Sequence, residues 1–372
     1  MKTIVEILGG AQMLLGISFD IQDCFEHYLT EEHRAFLHLL RIVEAFFPRI
    51  EKPVGLRGRR PFENTPFLRA YLAKAFFKIE TTSGLRNRLL SDSSLRNICG
   101  LIRVPSPATF SRRLKVFADH HLFEQILYPM VADSHAERLV GHISRDSTAI
   151  SAREKPVNTR RDVTKPKQKR GRPRKGEVRP NTPPSRLTRQ ISCSSGKAVK
   201  DLNRTCAWGC KKNSQGNLQF WKGYKLHLDI TDRGIPTAAV VTGANVHDSQ
   251  VALPLEKLTE RHVTHLYSVM DSAYDALAIR RYSEGQGRVA LIDRNTRRGD
   301  TRPPMDPAEQ ERFKVRSTVE RANAHLKDWL LPQRLLVRGY AKVNFTVMTG
   351  VVCLAALKVL QYFIIPTLDS TA

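Results

Sequence analysis

The chain has 372 residues, 41% of them hydrophobic, and a formal net charge of +24. That length exceeds one typical domain and supplies ample apolar material for a core. An excess of positive charge on this scale favours a polyanionic partner through counterion release, which points to DNA or RNA and away from a small metabolite.

Residues 1–50 read mostly as helix, with Leu37, Leu39, Leu40, Ile42, Val43, Phe46 and Phe47 on a broad apolar face. The stretch from Met1 to Asp20 is apolar, but Glu6 interrupts it and no small-residue cleavage site follows, so no signal peptide is expected. A basic turn lies at Leu56-Arg57-Gly58-Arg59-Arg60-Pro61. From Phe67 to about Met130 the pattern is again helical, with helices expected near 67–78, 83–92 and 95–101. Pro105 to Lys115 then combines a Pro-containing turn, a Ser/Thr cap and a short basic helix bearing Arg112 and Arg113. Two readings fit: the turn and second helix of a helix-turn-helix, or a plain capped helix in an all-α region.

The segment 153–189 differs in character, with fourteen basic against three acidic side chains and few large apolar residues. Such a stretch does not build its own core. Within it, Lys169-Arg170-Gly171-Arg172-Pro173-Arg174 resembles the core of an AT-hook, whose Arg170 and Arg172 would lie in the narrow minor groove of A·T-rich DNA. A generic basic linker touching phosphates is the plainer alternative.

Strand patterns follow. Gly223 to Ile230 reads as a strand, Asp232-Arg233-Gly234 as a turn and Ile235 to Thr242 as the hairpin partner. Helices are expected at about 248–259 and 274–283, and strands at 266–270 and 288–292. The result is a mixed sheet flanked by helices. Val343 to Ile365 is apolar but broken by Lys358 and Gln361, so it reads as a buried C-terminal helix rather than a membrane span. The six cysteines are scattered, which fits a reduced, cytoplasmic setting. Cys206-x3-Cys210, with Cys193 nearby, lacks the second close pair of a zinc site, so packing or turn roles are expected.

Three carboxylates stand out. Asp146 and Asp271 each follow a short β-forming run and precede small polar residues, as catalytic groups at strand ends do in α/β folds. Glu320 belongs to Phe313-x2-Arg316-x3-Glu320-x6-Lys327. At ~100° per residue these four positions fall within roughly 60° on a helix, so one carboxylate is flanked by two cations. An exposed Arg/Glu pair alone would be ordinary. Together with the two aspartates it makes an oxygen-donor set suited to two magnesium ions beside a phosphodiester.

These motifs carry a family. Gly223-Tyr224-Lys225-Leu226-His227, Ala244-Asn245-Val246-His247-Asp248-Ser249, Met270-Asp271-Ser272-Ala273-Tyr274-Asp275 and Arg316-Ser317-Thr318-Val319-Glu320-Arg321 occur in that order, after the segment around Asp146. The chain resembles the DDE transposases of bacterial insertion sequences, in the branch marked by Tyr-x2-Arg-x3-Glu-x6-Lys. The resemblance implies an RNase H-like catalytic domain at 136–365 containing the basic insert, after an α-helical DNA-binding region at 1–135. It implies Asp146, Asp271 and Glu320 as catalytic and metal-holding residues, with two Mg2+ ions for which Mn2+ can substitute. Arg316 and Lys327 would hold DNA phosphates or an end base, and Phe313 stands where the signature has Tyr, which removes a hydroxyl. The implied partners are double-stranded DNA, as element ends and target, and a second copy of the chain in the synaptic complex, with no membrane. The implied chemistry is hydrolysis that frees a 3′-hydroxyl, followed by its in-line attack on target DNA.

Other polar residues have plainer expectations. Asp248 is a helix cap or a site residue, and His227 a packed strand histidine. Asp229, Asp232, Asp275 and Asp293 fit a catalytic position by residue type but not by the resemblance. The rival from another class is a catalytically silent DNA-binding regulator derived from a transposase.

Overall fold

Among the described residues, six strands form one mixed sheet, and their order sets the architecture. The computed structural model describes residues 29–50, 62–157, 184–212, 215–294 and 303–364. The chain enters through helices α1 (Glu31–Ala45), α2 (Thr65–Phe76), α3 (Thr82–Ser91), α4 (Ser93–Ile98), α5 (Pro107–Asp119) and α6 (Leu122–Ser134). Their starts follow local chemistry. Thr30, Thr81, Asp92 and Ser106 each accept a hydrogen bond from a backbone N–H in the first turn of the helix that follows. Pro107 then fits the first position of α5, where no N–H is needed.

Strand β1 (Leu139–Ser151) pairs antiparallel with β3 (Leu218–Thr231) and parallel with β5 (Thr264–Met270). Strand β4 (Pro236–Gly243) flanks β3, and β6 (Val289–Ile292) flanks β5 in parallel. A short β2 (Ala207–Lys212) pairs with the first part of β3 as a projecting ribbon. The path β4-β3-β1-β5-β6, with three antiparallel strands followed by parallel ones, is the expected RNase H-like arrangement after a helical N-terminal region. Helices α7 (Arg186–Ser192) and α8 (Ser195–Lys200) precede the ribbon, and α9 (Ser249–Thr259) and α10 (Leu277–Gly285) provide the parallel crossovers.

Beyond β6 come α11 (Pro307–Phe313), a 3₁₀ turn at Lys314–Arg316, α12 (Ser317–His325), a π turn at Leu326–Leu330 and α13 (Tyr340–Val359). Helix α13 is the spine. It packs on α2, α5 and α6 as well as on β4, so one apolar core joins the helical region to the sheet. Phe345 meets Tyr71 and Phe123 with ring centroids 5.1 and 5.0 Å apart. The helix through Ile364 is long and apolar enough to cross a membrane, but 78% of its apolar window is buried inside the structure. It is the core helix the sequence suggested.

Three expectations need correction. The strand expected from Gly223 begins at Leu218, because the preceding residues pair with β2. The helix expected from Tyr274 begins at Leu277, because Asp271 caps a 3₁₀ turn at Ser272–Tyr274. The segment 313–327 is not one uniform α-helix, so the single-stripe geometry does not hold across it. The basic turn at 56–61 and the termini lie outside the described residues.

Candidate active site

Parallel pairing of β1 with β5 brings two of the carboxylates together. Arg145 stands opposite Met270, so Asp146 and Asp271 follow side by side. Asp271 is at a strand end, where its carboxylate accepts from the Ala273 N–H at 3.0 Å. Asp146 is not: it sits inside the 13-residue β1, because β3 continues to pair with β1 as far as Ser151. The small residues after Asp146 suggested a loop, yet Ser147, Thr148 and Ala149 face His227, Leu226 and Lys225 across an antiparallel ladder.

Helix α12 supplies Glu320. The Ser144 hydroxyl donates to the Val315 carbonyl at 3.2 Å and pins the preceding turn to β1. Arg316, in that turn, reaches all three carboxylates. Its Nη1 is 2.8 Å from Glu320 Oε1, and its Nη2 is 3.8 Å from Asp271 Oδ2 and 3.9 Å from Asp146 Oδ1. Asn323, three residues beyond Glu320, donates to Asp146 Oδ2 at 3.2 Å. Glu320 remains half exposed, at 54% of its side-chain surface. Among the described residues no three His, Cys, Asp or Glu side chains stand together as a metal cluster. The guanidinium is the cation lying among these carboxylates.

Electrostatics mark the same place. Burial pushes the Asp146 carboxyl up to about 6, and the charges of Asp271 and Asp248 add to this against the pull of Arg316. Burial also raises Asp271, with Arg316 opposing and Asp248 and Asp293 reinforcing. Two neighbouring carboxylates raised by burial and by nearby negative charge favour a cation beside them, and Arg316 supplies one. Lys327, in the π turn, is half-buried, and its ammonium lies below the usual lysine range through burial and the nearby charge of Lys211. It lines a cleft of about 540 Å³ with Lys78, Lys211, Phe220 and Trp221. Phe313 is half-buried at the end of α11.

The other face of the sheet holds a charge network that carried no motif. Arg145 donates to both Asp229 oxygens at 2.6 and 2.7 Å and to Glu256 at 2.7 Å, and its Nη1 reaches Met270 Sδ at 3.5 Å. Glu256 also accepts from Arg288 at 2.7 Å and from the Ser268 hydroxyl. Burial alone would raise Glu256, but Arg145 and His265 outweigh it and hold the carboxyl well below the usual range. Arg145 and Met270 immediately precede Asp146 and Asp271, so this network fixes the strands beneath both. The available sequence signal was an Arg and an Asp in strands otherwise built for burial.

The remaining candidates are placed as follows. Arg112 is exposed on α5. Arg113 turns inward, donating to Asn64 Oδ1 at 2.6 Å and the Phe62 carbonyl at 2.9 Å and lying over the Phe67 ring. Arg170 and Arg172 lie outside the described residues. Asp248 makes no side-chain cap bond; it accepts from Lys225 Nζ at 2.9 Å. His227 is packed, bonded to Thr242, and driven down to about 4 by burial. Asp232 and Asp275 pair with His142 and Arg280. Cys206 is buried and donates to the Glu154 carbonyl, while Cys210 is exposed.

A family model, the transposase DDE domain, matches residues 142–356, more than half of the chain. The chain belongs to the DDE transposases. A second model, Transposase domain (DUF772), matches residues 23–115 of the transposase. A search of curated proteins and a search of solved structures each returned no match. The matched DDE span contains Asp146, Asp271, Glu320, Arg316 and Lys327, and the second span contains Arg112 and Arg113.

Proposed function

We propose that the transposase binds the ends of its element, cleaves them and joins the freed 3′-hydroxyl to target DNA, using Asp146, Asp271 and Glu320 to hold two Mg2+ ions, with Mn2+ an acceptable substitute. One observation supports this most. A single guanidinium touches carboxylates from β1, from the end of β5 and from α12, although they are distant in sequence. When bound, two divalent cations stabilise both the attacking and the leaving oxygen of an in-line displacement.

The protein's own residues do the rest. Asn323 holds one oxygen of Asp146, leaving the other towards Arg316. Arg316 moves from the carboxylates to DNA phosphate, a bidentate task suited to its planar fork. Lys327 and Phe313 complete the contact to the DNA end, the first by charge and the second by packing without a hydroxyl. Residues 1–135 serve as the DNA-binding region, with Arg112 on phosphate, and 136–365 as the catalytic domain, whose insert at 153–189 contacts DNA through Arg170 and Arg172. Arg113 contributes to DNA binding by fixing the start of α2 beside α5. Two copies pair two ends in the synaptic complex, and the reaction takes place on nucleoid DNA in the bacterial cytoplasm.

The test is a cleavage-and-joining assay with Mg2+ on DNA carrying the element's own flanking inverted repeats. Wild type should cleave and join, and Asp146→Asn, Asp271→Asn and Glu320→Gln should each abolish both. End binding without cleavage by the wild type would instead identify a catalytically silent DNA-binding regulator.

A further inference from the structure

The ribbon formed by β2 and the start of β3 has two unlike faces. Six residue pairs join its strands, from Ala207 with Gly223 to Lys212 with Leu218. The face bearing Gly209 and Trp221 is closed by its own packing. The indole lies against Gly209 so closely that a Cβ there would collide with the ring, and its Nε1 donates to the Tyr224 carbonyl at 3.0 Å.

The opposite face carries Trp208, Cys210 and Lys212 on one strand and Lys222, Phe220 and Leu218 on the other. Trp208 is 60% exposed, Phe220 66% and Leu218 57%. A rigid two-stranded element that leaves three large apolar side chains in water marks a contact surface. Lysines stand at both ends of that patch, and residues 207–223 contain no acidic side chain.

Charge decides the occupant. A second copy of a chain with a net charge of +24 is repelled by this surface, as is the chain's own strongly basic segment at 153–189. A polyanion is attracted. A two-stranded ribbon also has the width that the major groove of B-DNA, about 12 Å, admits, and six pairs span about 20 Å.

We propose that the ribbon formed by residues 207–212 and 218–223 docks in the major groove of duplex DNA, with Lys212 and Lys222 on the flanking phosphates and Trp208, Phe220 and Leu218 against the groove floor. This rests on the reading of the chain as a DNA-acting transposase and adds a surface that adjoins the carboxylate site through the cleft Phe220 shares with Lys327. Apolar contact of this kind favours thymine methyl groups.

The experiment uses the full-length protein, a duplex probe, anisotropy titrations over a range of salt concentrations, and dimethyl sulfate footprinting of guanine N7, which faces the major groove. The doubly substituted Trp208→Ala/Phe220→Ala protein should bind about tenfold more weakly with its salt dependence unchanged, and should lose N7 protection seen with wild type. Lys212→Gln/Lys222→Gln should lower the slope of log affinity against log salt by about 1.8. All substituted side chains are at least partly exposed, and melting curves matching wild type confirm the fold. Affinity, slope and footprint identical to wild type would overturn the ribbon assignment while leaving DNA binding intact. Failure of the wild type to bind duplex DNA would overturn both readings. Loss of self-association in the aromatic variant, with DNA binding unaltered, would overturn the ribbon proposal in favour of a protein interface.

Discussion

Arg145 and Asp146 are neighbours in β1, yet the two faces of the sheet treat their charges in opposite ways. On one face Arg145, 1% exposed, is held by two carboxylates at hydrogen-bonding distance, and Glu256 is further satisfied by Arg288 and Ser268. On the other, Asp146 and Asp271 meet Arg316 only at 3.9 and 3.8 Å, and burial raises both carboxyl groups. Charges that are fully paired and dry hold a structure together. Carboxylates that are crowded and loosely paired leave negative charge uncompensated, which is what the proposed metal and DNA contacts would use. The difference separates a scaffold from a candidate reaction site one residue away.

Substitutions should divide along the same line. The largest effect is expected on the open face, where Asp146→Asn should reduce DNA cleavage at least ~10³-fold, about 4 kcal/mol of transition-state stabilisation. Its urea midpoint should not fall, because the substitution removes a carboxylate that burial disfavours. Next comes the buried face. Asp229→Asn leaves Arg145 short of a partner and should destabilise the fold by about 3–5 kcal/mol, read by urea unfolding. If instead Asp229→Asn leaves stability intact and Asp146→Asn unfolds the protein, the two faces have been assigned in reverse.

The pH dependence sharpens the comparison further. Glu256 has a folded-state value below the ordinary carboxyl value, so its contribution is fully present above about pH 4.5 and is lost as pH falls through the folded value. The stability gap between wild type and Glu256→Gln should therefore be constant from pH 7 to 5 and shrink below about 4.5. A gap that stays constant to pH 3 would contradict the network. The smallest effect is expected for Asn323→Ala, which removes one hydrogen bond to Asp146 worth about 1 kcal/mol. About fivefold slower cleavage with unchanged DNA affinity is the expected kinetic result.

Much of this was legible in the sequence because the signals are local. Alternation and turn residues marked the β3–β4 hairpin, and short apolar runs marked β5 and β6. A long apolar stretch broken by Lys358 marked α13 as a core helix. The Arg316–Glu320 contact survived even though its segment mixes α, 3₁₀ and π turns, because an i, i+4 pair tolerates the irregularity of a single turn. What escaped depends on pairing across the fold. The extent of β1 beyond Asp146 is set by β3, some 80 residues later, and the link from Arg145 to Glu256 needs β1 and α9 on the same side of the sheet. Arg113 looked like a DNA contact because it sits on a basic helix. Only the loop before α2, folded against α5, shows its guanidinium occupied by Asn64 and Phe62.

The most direct test is a crystal structure of the transposase with pre-cleaved end DNA and Mn2+, read by anomalous difference density. The expected result is density bounded by Asp146, Asp271 and Glu320, with Arg316 moved from the carboxylates onto a DNA phosphate. A map with DNA bound, no anomalous peak at these carboxylates and Arg316 still among them would contradict the assignment.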